Sequence, residues 1–208
     1  KQNCIGIKQK GWKIMIKIDF SKVVKTFKKT GYLIIINNDG NGDQWLGNGA
    51  AFYNMGNTEF DTINVKPVLP ARSPEWTIVS DNVKRYTEVY FDDNDYTEEP
   101  IEKILPLDFT YNEKDFETYV LNSRDVMFID KSYLKPIDIG NSSGAVFYSR
   151  KSKIYGNYLA IKDGLMLKAI IMPTKLVNAD DTLFADLIDE LHELCMIARG
   201  SIAEVGEE

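Results

Sequence analysis

An apolar stripe at helical spacing predicts an amphipathic helix over Asp19–Lys29. The members of that stripe are Phe20, Val23, Val24 and Phe27. Asp19 or Ser21 can cap the first turn of this helix, and Gly31 ends it. The opposite face carries four lysines, which are Lys22, Lys25, Lys28 and Lys29.

The next segment, Gly31–Met55, predicts two antiparallel strands around a glycine-rich turn. Leu33–Ile36 is a continuous apolar run rich in β-branched residues, which is typical of a buried strand. Asn38–Gly42 supplies the residue types that tolerate positive φ in a tight reversal. A second strand is expected over Trp45–Tyr53.

Later segments extend this pattern of strands and helices. Strands are predicted at Val126–Ile129, Ala145–Ser149, Tyr155–Ile161 and Leu165–Met172. Asp130 is expected to cap a short helix over Lys131–Ile137, and Lys162-Asp163-Gly164 forms a hairpin turn. Phe109–Leu121 is compatible with either a strand or a helix, and Asp181–Arg199 predicts a C-terminal amphipathic helix. The expected fold class is α+β, with antiparallel sheets and βαβββ-like halves.

These elements suggest a division of the chain into four parts. Residues 1–14 are interpreted as a leader or an added segment, because Met15 is a plausible natural start. Residues 15–79 form a first half, residues 80–125 an acidic connector, and residues 126–208 a second half with the C-terminal helix.

The charge of the chain is unevenly distributed. The net charge is −6, yet residues 1–29 contain nine lysines and one acid. This overall acidity argues against nonspecific coating of nucleic acid but leaves room for a small lysine-lined face. Apolar content is 44%, enough for a sizeable core, and neither a membrane-spanning run nor a signal peptide is visible.

The sequence offers little material for catalysis or for metal binding. A single histidine, His192, excludes two-histidine zinc sites and lies in the predicted C-terminal helix. Asp39–Asp43 starts like a calcium loop, but its later positions lack the required glycine and glutamate. The glycines of the same segment are not followed by a helix start, as a phosphate loop requires. We therefore expect no catalytic residue, no metal and no cofactor.

Two charged groups are candidate recognition surfaces, and each has an ordinary alternative. The lysine face of the first helix either solubilises the protein or contacts nucleic-acid backbone. The acidic group either is a solvated loop or recognises a basic partner. Its members are Asp92, Asp93, Asp95, Glu98 and Glu99.

The order strand (Ile16–Asp19), lysine-faced helix and antiparallel strands resembles one βαβββ unit of the bacterial sliding clamp, the polymerase processivity ring. The segment Ala169–Leu176, AIIMPTKL, is similar to the last strand of that family. The resemblance implies a hydrophobic peptide pocket lined by Met172, Pro173 and Leu176. It also implies that basic side chains of an inner helix face DNA, and the matching lysines here are Lys22, Lys25 and Lys29.

Two departures from the clamp pattern are evident. The family's chain ends at the position of Leu176, whereas this chain continues for a further predicted helix. A length of 208 residues is also short for a three-domain subunit, so a ring would need more copies.

The leading expectation is a non-catalytic binding protein, a clamp-like scaffold for DNA or protein. The alternatives are an acidic inhibitor that mimics DNA and, third, an enzyme with a carboxylate-based site. Expected partners are a protein, a nucleic acid and further copies of the chain, with no membrane. The expected location is the cytoplasm of a bacterial or phage-infected cell, since the lysine- and asparagine-rich composition is typical of phage and mobile-element proteins.

Overall fold

A computed structural model describes residues 16–27, 34–37, 43–56, 89–101, 108–121, 126–139, 144–153 and 156–174, with the single positions 189, 190, 193 and 197. Within these ranges the chain forms helix α1 (Phe20–Phe27) and a 3₁₀ helix (Lys131–Tyr133). The strands are β1 (Lys17–Ile18), β2 (Ile34–Asn37), β3 (Gln44–Gly47), β4 (Ala51–Asn54), β5 (Glu99–Ile101), β6 (Asp108–Tyr111), β7 (Lys114–Val120), β8 (Val126–Asp130), β9 (Ile137–Asp138), β10 (Ala145–Ser152), β11 (Gly156–Asp163) and β12 (Met166–Ile171).

Seven strands form one antiparallel main sheet in the order β2-β3-β4-β12-β11-β10-β5. The meanders β2-β3-β4 and β10-β11-β12 lie side by side and meet through the β4–β12 pair. The central strands therefore join residues more than a hundred positions apart, such as Phe52 and Ile170. One sheet thus takes strands from both predicted halves, and the predicted connector supplies β5.

Both faces of the main sheet are buried at its centre, so the central strands contain continuous apolar runs such as Tyr158–Ile161 in β11. In β11, Leu159 and Ile161 point to one face and Ala160 points to the other. Successive side chains alternate between faces, which explains why these strands read as continuous apolar runs.

The first face, termed the helix face, packs against α1 and the small sheet. Val23 and Phe27 of α1 are fully buried there. Tyr119 of β7 and Ile129 of β8 belong to the same core cluster. The small sheet, β6-β7-β8, thereby forms a second layer next to the helix.

The second face, termed the strap face, is covered by residues 89–98, which we name the strap. Val89 and Phe91 pack on side chains from β2, β3, β4, β11 and β12. The strap itself contains bends and turns but neither helix nor strand. Its cover is therefore made by side chains rather than by an added strand.

Most predicted strands in the described ranges are confirmed, with ends shifted by a few residues. The helix prediction is confirmed over Phe20–Phe27, and Asp130 caps the helical turn that follows β8, although that turn is a short 3₁₀ helix. Phe109–Leu121, left open between strand and helix, contains the hairpin of β6 and β7.

The single strand predicted over Trp45–Tyr53 is wrong, because the chain reverses in its middle to give β3 and β4. Asn48 causes this reversal: its side-chain Oδ1 accepts hydrogen bonds from the amides of Ala50 and Ala51, at 3.1 and 3.0 Å. Gly49 adds a positive φ of 84°. Asparagine side chains commonly form such turns.

Two further predictions concern residues that lie largely or wholly outside the described ranges. The structure does not support the predicted C-terminal helix, since nearly all of Asp181–Arg199 lies outside the described residues. The interpretation of residues 1–14 as a leader also lies outside them.

Candidate nucleic-acid interface and neighbouring sites

Helix α1 presents its lysines to solvent because its apolar stripe is held against the main sheet. Asp19 Oδ1 accepts a hydrogen bond from the Lys22 amide at 3.1 Å and so caps the first turn. Lys22 and Lys25 are exposed. The third predicted contact residue, Lys29, lies outside the described residues.

The acids near α1 limit the positive potential of this face. Lys22 Nζ lies 3.7 Å from Asp19 Oδ2, and both side chains are about half exposed, at 53% and 41%. Exposed ion pairs of this kind contribute little to stability and exchange partners readily. Lys22 can therefore leave Asp19 for a phosphate at small cost.

A polar cleft of about 330 Å³ lies beside the C-terminal end of α1. Thr26 links the two, because its hydroxyl donates to the Ser132 carbonyl at 3.3 Å. The cleft is lined by the lysines Lys114, Lys131 and Lys135, the acids Glu113, Asp115 and Asp130, and by Thr26, Ser132 and Tyr133. Opposite charges are thus present in equal number along its wall.

The acids of the cleft mostly serve the local structure. Asp130 Oδ1 accepts from the Ser132 amide at 2.8 Å, and its other oxygen lies 3.8 Å from Lys114 Nζ. Asp115 accepts from the Thr110 hydroxyl at 2.8 Å. Because these carboxylates already accept hydrogen bonds from protein groups, they do not form a free carboxylate pair. The wall of the cleft instead suits a ligand that is charged and forms hydrogen bonds.

Lys131 is held by an acid of the small sheet. Its Nζ donates to Asp108 Oδ2 at 2.5 Å. This hydrogen bond, with further attraction from Asp108, Glu117 and Asp115, raises the pKa of Lys131. Lys131 is therefore a fixed cation in the wall of the cleft.

The acidic candidates do not form one open surface. Asp93 Oδ1 accepts from the Leu167 amide at 2.7 Å, and Asp95 Oδ1 accepts from the amide and hydroxyl of Thr97. Glu98 binds two buried cations, Arg150 and Lys162. Asp92 and Glu99 are the exposed members of the group.

Arg150 is the main site residue that the sequence reasoning missed. The side chain is 0% exposed, and its Nε and Nη2 donate to Glu98 Oε2 at 2.9 and 2.6 Å. Nη1 donates to the carbonyls of Tyr90 and Asp92, and Nη2 also donates to that of Asp93. Five hydrogen bonds match the five N–H groups of a guanidinium, so this buried cation is fully satisfied.

Lys162 completes this group on the neighbouring strand. Its Nζ donates to Glu98 Oε1 at 2.8 Å, and it lies 5.0 Å from the ring centroid of Tyr148. A sequence signal exists for Lys162, which directly follows the buried apolar run Tyr158–Ile161, whereas Arg150 lies between Ser149 and the exposed Lys151 and has none. Such a cation requires a carboxylate partner, and the acidic segment supplies one.

Two of the three peptide-pocket candidates, Met172 and Pro173, directly follow β12. Met172 is 8% exposed and packs in the core under the strap, so it does not line an open pocket in this conformation. Its amide donates to the Ala50 carbonyl at 2.7 Å. Pro173 is half-buried, and Leu176 lies outside the described residues.

Three buried polar atoms in the described ranges have no hydrogen-bond partner, namely Trp45 Nε1, Asp95 Oδ2 and Thr118 Oγ1. A buried polar group without a partner costs about 1–3 kcal/mol. Trp45 and Asp95 both belong to the layer formed by the strap and the face beneath it.

Among the described residues, no group of three or more His, Cys, Asp or Glu side chains is placed to hold a metal ion. No helix in this part of the chain is both long and apolar enough to cross a bilayer.

Comparison with protein-family models, curated proteins and solved structures found no significant match for this chain.

Proposed function

We propose that this protein is a non-catalytic, clamp-like scaffold that contacts nucleic-acid backbone through α1. The observation that carries the proposal is the placement of this short helix. One side is fully buried, while Lys22 and Lys25 project to solvent from the other. Lysines so placed can neutralise phosphates without reading sequence.

The topology supports a duplicated architecture of the clamp type. A strand and a helical segment, β1–α1, precede the meander β2-β3-β4. In the second half, β8 and the 3₁₀ helix precede β9 and then the meander β10-β11-β12. The two helical segments lie together through Thr26 and Ser132, and the two meanders meet at β4 and β12.

Two lysines close to α1 would extend the contact with a nucleic-acid backbone beyond the helix. Lys131 and Lys135 border the cleft at the end of the helix, next to Thr26. The nearby acids reduce the net potential, so we expect weak binding that depends strongly on salt.

The alternatives have less support. An acidic mimic of DNA needs a surface of carboxylates, but three of the five candidates are used inside the structure. A carboxylate-based enzyme would use the cleft, where Asp115 and Asp130 already accept hydrogen bonds from protein groups.

The proposal is tested by reversing charge on α1. We expect Lys22→Glu with Lys25→Glu to abolish binding to a fluorescent mixed-sequence DNA duplex at low salt, measured by anisotropy. Lys151→Glu with Lys153→Glu is the matched control, because both residues are exposed and lie at the far end of β10. Equal binding by the two double variants, or no binding by the native protein, would refute the proposal.

Self-association is the second expectation. Since a ring would need several copies, light scattering should give a mass of two or more chains, each of 23.7 kDa. A monomer at all concentrations would leave α1 as a backbone contact but remove the ring.

A further inference from the structure

Four of the six charged residues that line the polar cleft beside α1 have partners in the protein. Lys131 donates to Asp108, and Lys114 Nζ lies 3.8 Å from Asp130 Oδ2. Asp115 of β7 accepts a hydrogen bond from a threonine hydroxyl of the neighbouring strand β6. These four charges are therefore already compensated within the protein.

The other two charges of the cleft, Glu113 and Lys135, are unpaired. Both residues are exposed, and neither makes a hydrogen bond or an ion pair within the described part of the chain. They come from different elements, because Glu113 lies in the turn between β6 and β7 whereas Lys135 follows the 3₁₀ helix. The wall of the cleft therefore carries one free anion and one free cation.

The backbone at Glu113 is strained. The β6–β7 hairpin closes through a two-residue turn in which Asn112 and Glu113 have positive φ, at 47° and 62°. Turns of this type favour asparagine at the first position and glycine at the second, where a residue with a Cβ is strained. The chain thus keeps a carboxylate at a position where glycine would fit better, and strain of this kind concentrates at binding sites.

We propose that the cleft binds a small zwitterion, a molecule with an ammonium group at one end and a carboxylate at the other. Glu113 accepts hydrogen bonds from the ammonium group, and Lys135 donates to the carboxylate. A volume of about 330 Å³ lies within the range of ligand pockets and suits a molecule of this size. Free amino acids and very short peptides share this chemistry, and the length of the tightest-binding probe distinguishes them.

A ligand with a single sign of charge fits the cleft less well. An anion bound by Lys135 would also lie in the cleft that holds the unpaired Glu113, and a cation bound by Glu113 would share the cleft with Lys135. Like charges that share a site repel each other. A molecule that carries both charges compensates both residues at once.

This site goes beyond the proposed function and is tested separately. The proposed contact with DNA depends on Lys22 and Lys25, which do not line the cleft. Glu113 has no part in that contact. Zwitterion binding can therefore fail while DNA binding succeeds, and the reverse is also true.

The first test uses a series of unbranched zwitterions: glycine, β-alanine, γ-aminobutyric acid, glycylglycine and triglycine. The separation of their two charges increases along the series. We expect at least one of them, at up to about 10 mM, to cause saturable shifts of the amide signals of Glu113 and Lys135 in NMR spectra of the native protein. Acetylation of its amine or amidation of its carboxylate should each weaken binding at least about tenfold, because each change removes one charge.

A series without a saturable member overturns the proposal. Modified ligands that bind as tightly as the parent zwitterion also overturn it, because binding would then not depend on the two charges.

Single variants assign the two ends of the ligand. Glu113→Gln and Lys135→Met should each weaken binding of the best zwitterion at least about tenfold. Glu99→Gln and Lys151→Met are the matched controls, because these exposed residues do not line the cleft, and they should leave binding unchanged. Equal binding by the cleft variants and the controls would contradict the assignment.

The variant Glu113→Gly separates ligand binding from a structural role. Because glycine adopts positive φ without strain, we expect its melting temperature to rise by about 2 °C or more while zwitterion binding is lost. A purely structural role for Glu113 predicts the opposite change in melting temperature. A Glu113→Gly protein that melts at a lower temperature than the native protein, or that binds the zwitterion as tightly, would overturn the proposal.

Discussion

At the residue scale, one buried cation organises the strap side of the molecule. Arg150 joins Glu98 to three backbone carbonyls, and each of its N–H groups has a partner. A buried ion group of this kind gives limited stability compared with an apolar core, but removal of one member leaves the others unpaired. The strap conformation thus depends on this side chain.

Replacing Arg150 should therefore be far more damaging than replacing its neighbour. We expect Arg150→Met to lower the free energy of unfolding by about 3–5 kcal/mol, because Glu98 and the strap carbonyls lose their donors. Lys151→Met, at an exposed site next to it, should change that energy by less than about 0.5 kcal/mol. Urea unfolding followed by circular dichroism measures both, and equal effects would show that the buried group is unimportant.

Tyr158 should contribute to alkaline unfolding. Burial raises its pKa to about 12 from an ordinary value of 10.0. Its contribution to stability is complete below pH 10, the unfolded value, and is lost as pH rises through 12, because the unfolded chain ionises first. Burial also raises the pKa of Tyr53 and Tyr119, so the native protein should lose stability across this range.

The variant Tyr158→Phe isolates this contribution. It should start less stable at pH 8, by about 1 kcal/mol, since the Tyr90 amide loses its acceptor. Between pH 10 and pH 12 its melting temperature should fall less steeply than that of the native protein. Parallel curves would mean that Tyr158 does not titrate in this range.

At the element scale, periodicity predicted α1 and most strands correctly. Phe20, Val23 and Phe27 are spaced for a helix that has one apolar side, and the central strands contain short apolar runs such as Tyr158–Ile161. What periodicity did not reveal is the reversal at Asn48, because that turn depends on a side-chain hydrogen bond within an otherwise strand-like segment. The short β3 and β4 exist because of it.

Gly47 of β3 lies closely packed against Phe52 and Ala51 of β4. A Cβ atom at this position would lie 2.1 Å from Phe52 Cδ1 and 2.7 Å from the Ala51 carbonyl oxygen. We expect Gly47→Ala to destabilise the protein by about 1–3 kcal/mol, because Phe52 would be pushed against Phe91.

Gly164→Ala is the comparison for this variant. No atom lies within 4 Å of its added Cβ, and its φ of +61° makes strain the only cost, at about 1 kcal/mol. Thermal melts of both variants test the difference. A Gly47→Ala protein that melts with or above the Gly164→Ala protein would contradict the packing described.

At the scale of the whole molecule, the sequence could predict the hairpins β2-β3 and β11-β12, but neither the reversal between β3 and β4 nor how the two meanders join. The pairing of β4 with β12 links residues that no local pattern relates, and only the completed sheet buries both sets of apolar faces. The partnership of Arg150 with Glu98 is likewise a long-range contact, so the acidic candidates were predicted as one surface although three of them have internal partners.

The central claim is that Lys22 and Lys25 contact nucleic-acid backbone. The most direct test is the salt dependence of DNA binding by the native protein and by Lys22→Gln with Lys25→Gln. Each phosphate contact contributes about −0.9 to the slope of log K against log salt, so the variant's slope should be less negative by about 1.8. An unchanged slope would show that α1 does not contact the backbone and would contradict the proposed function.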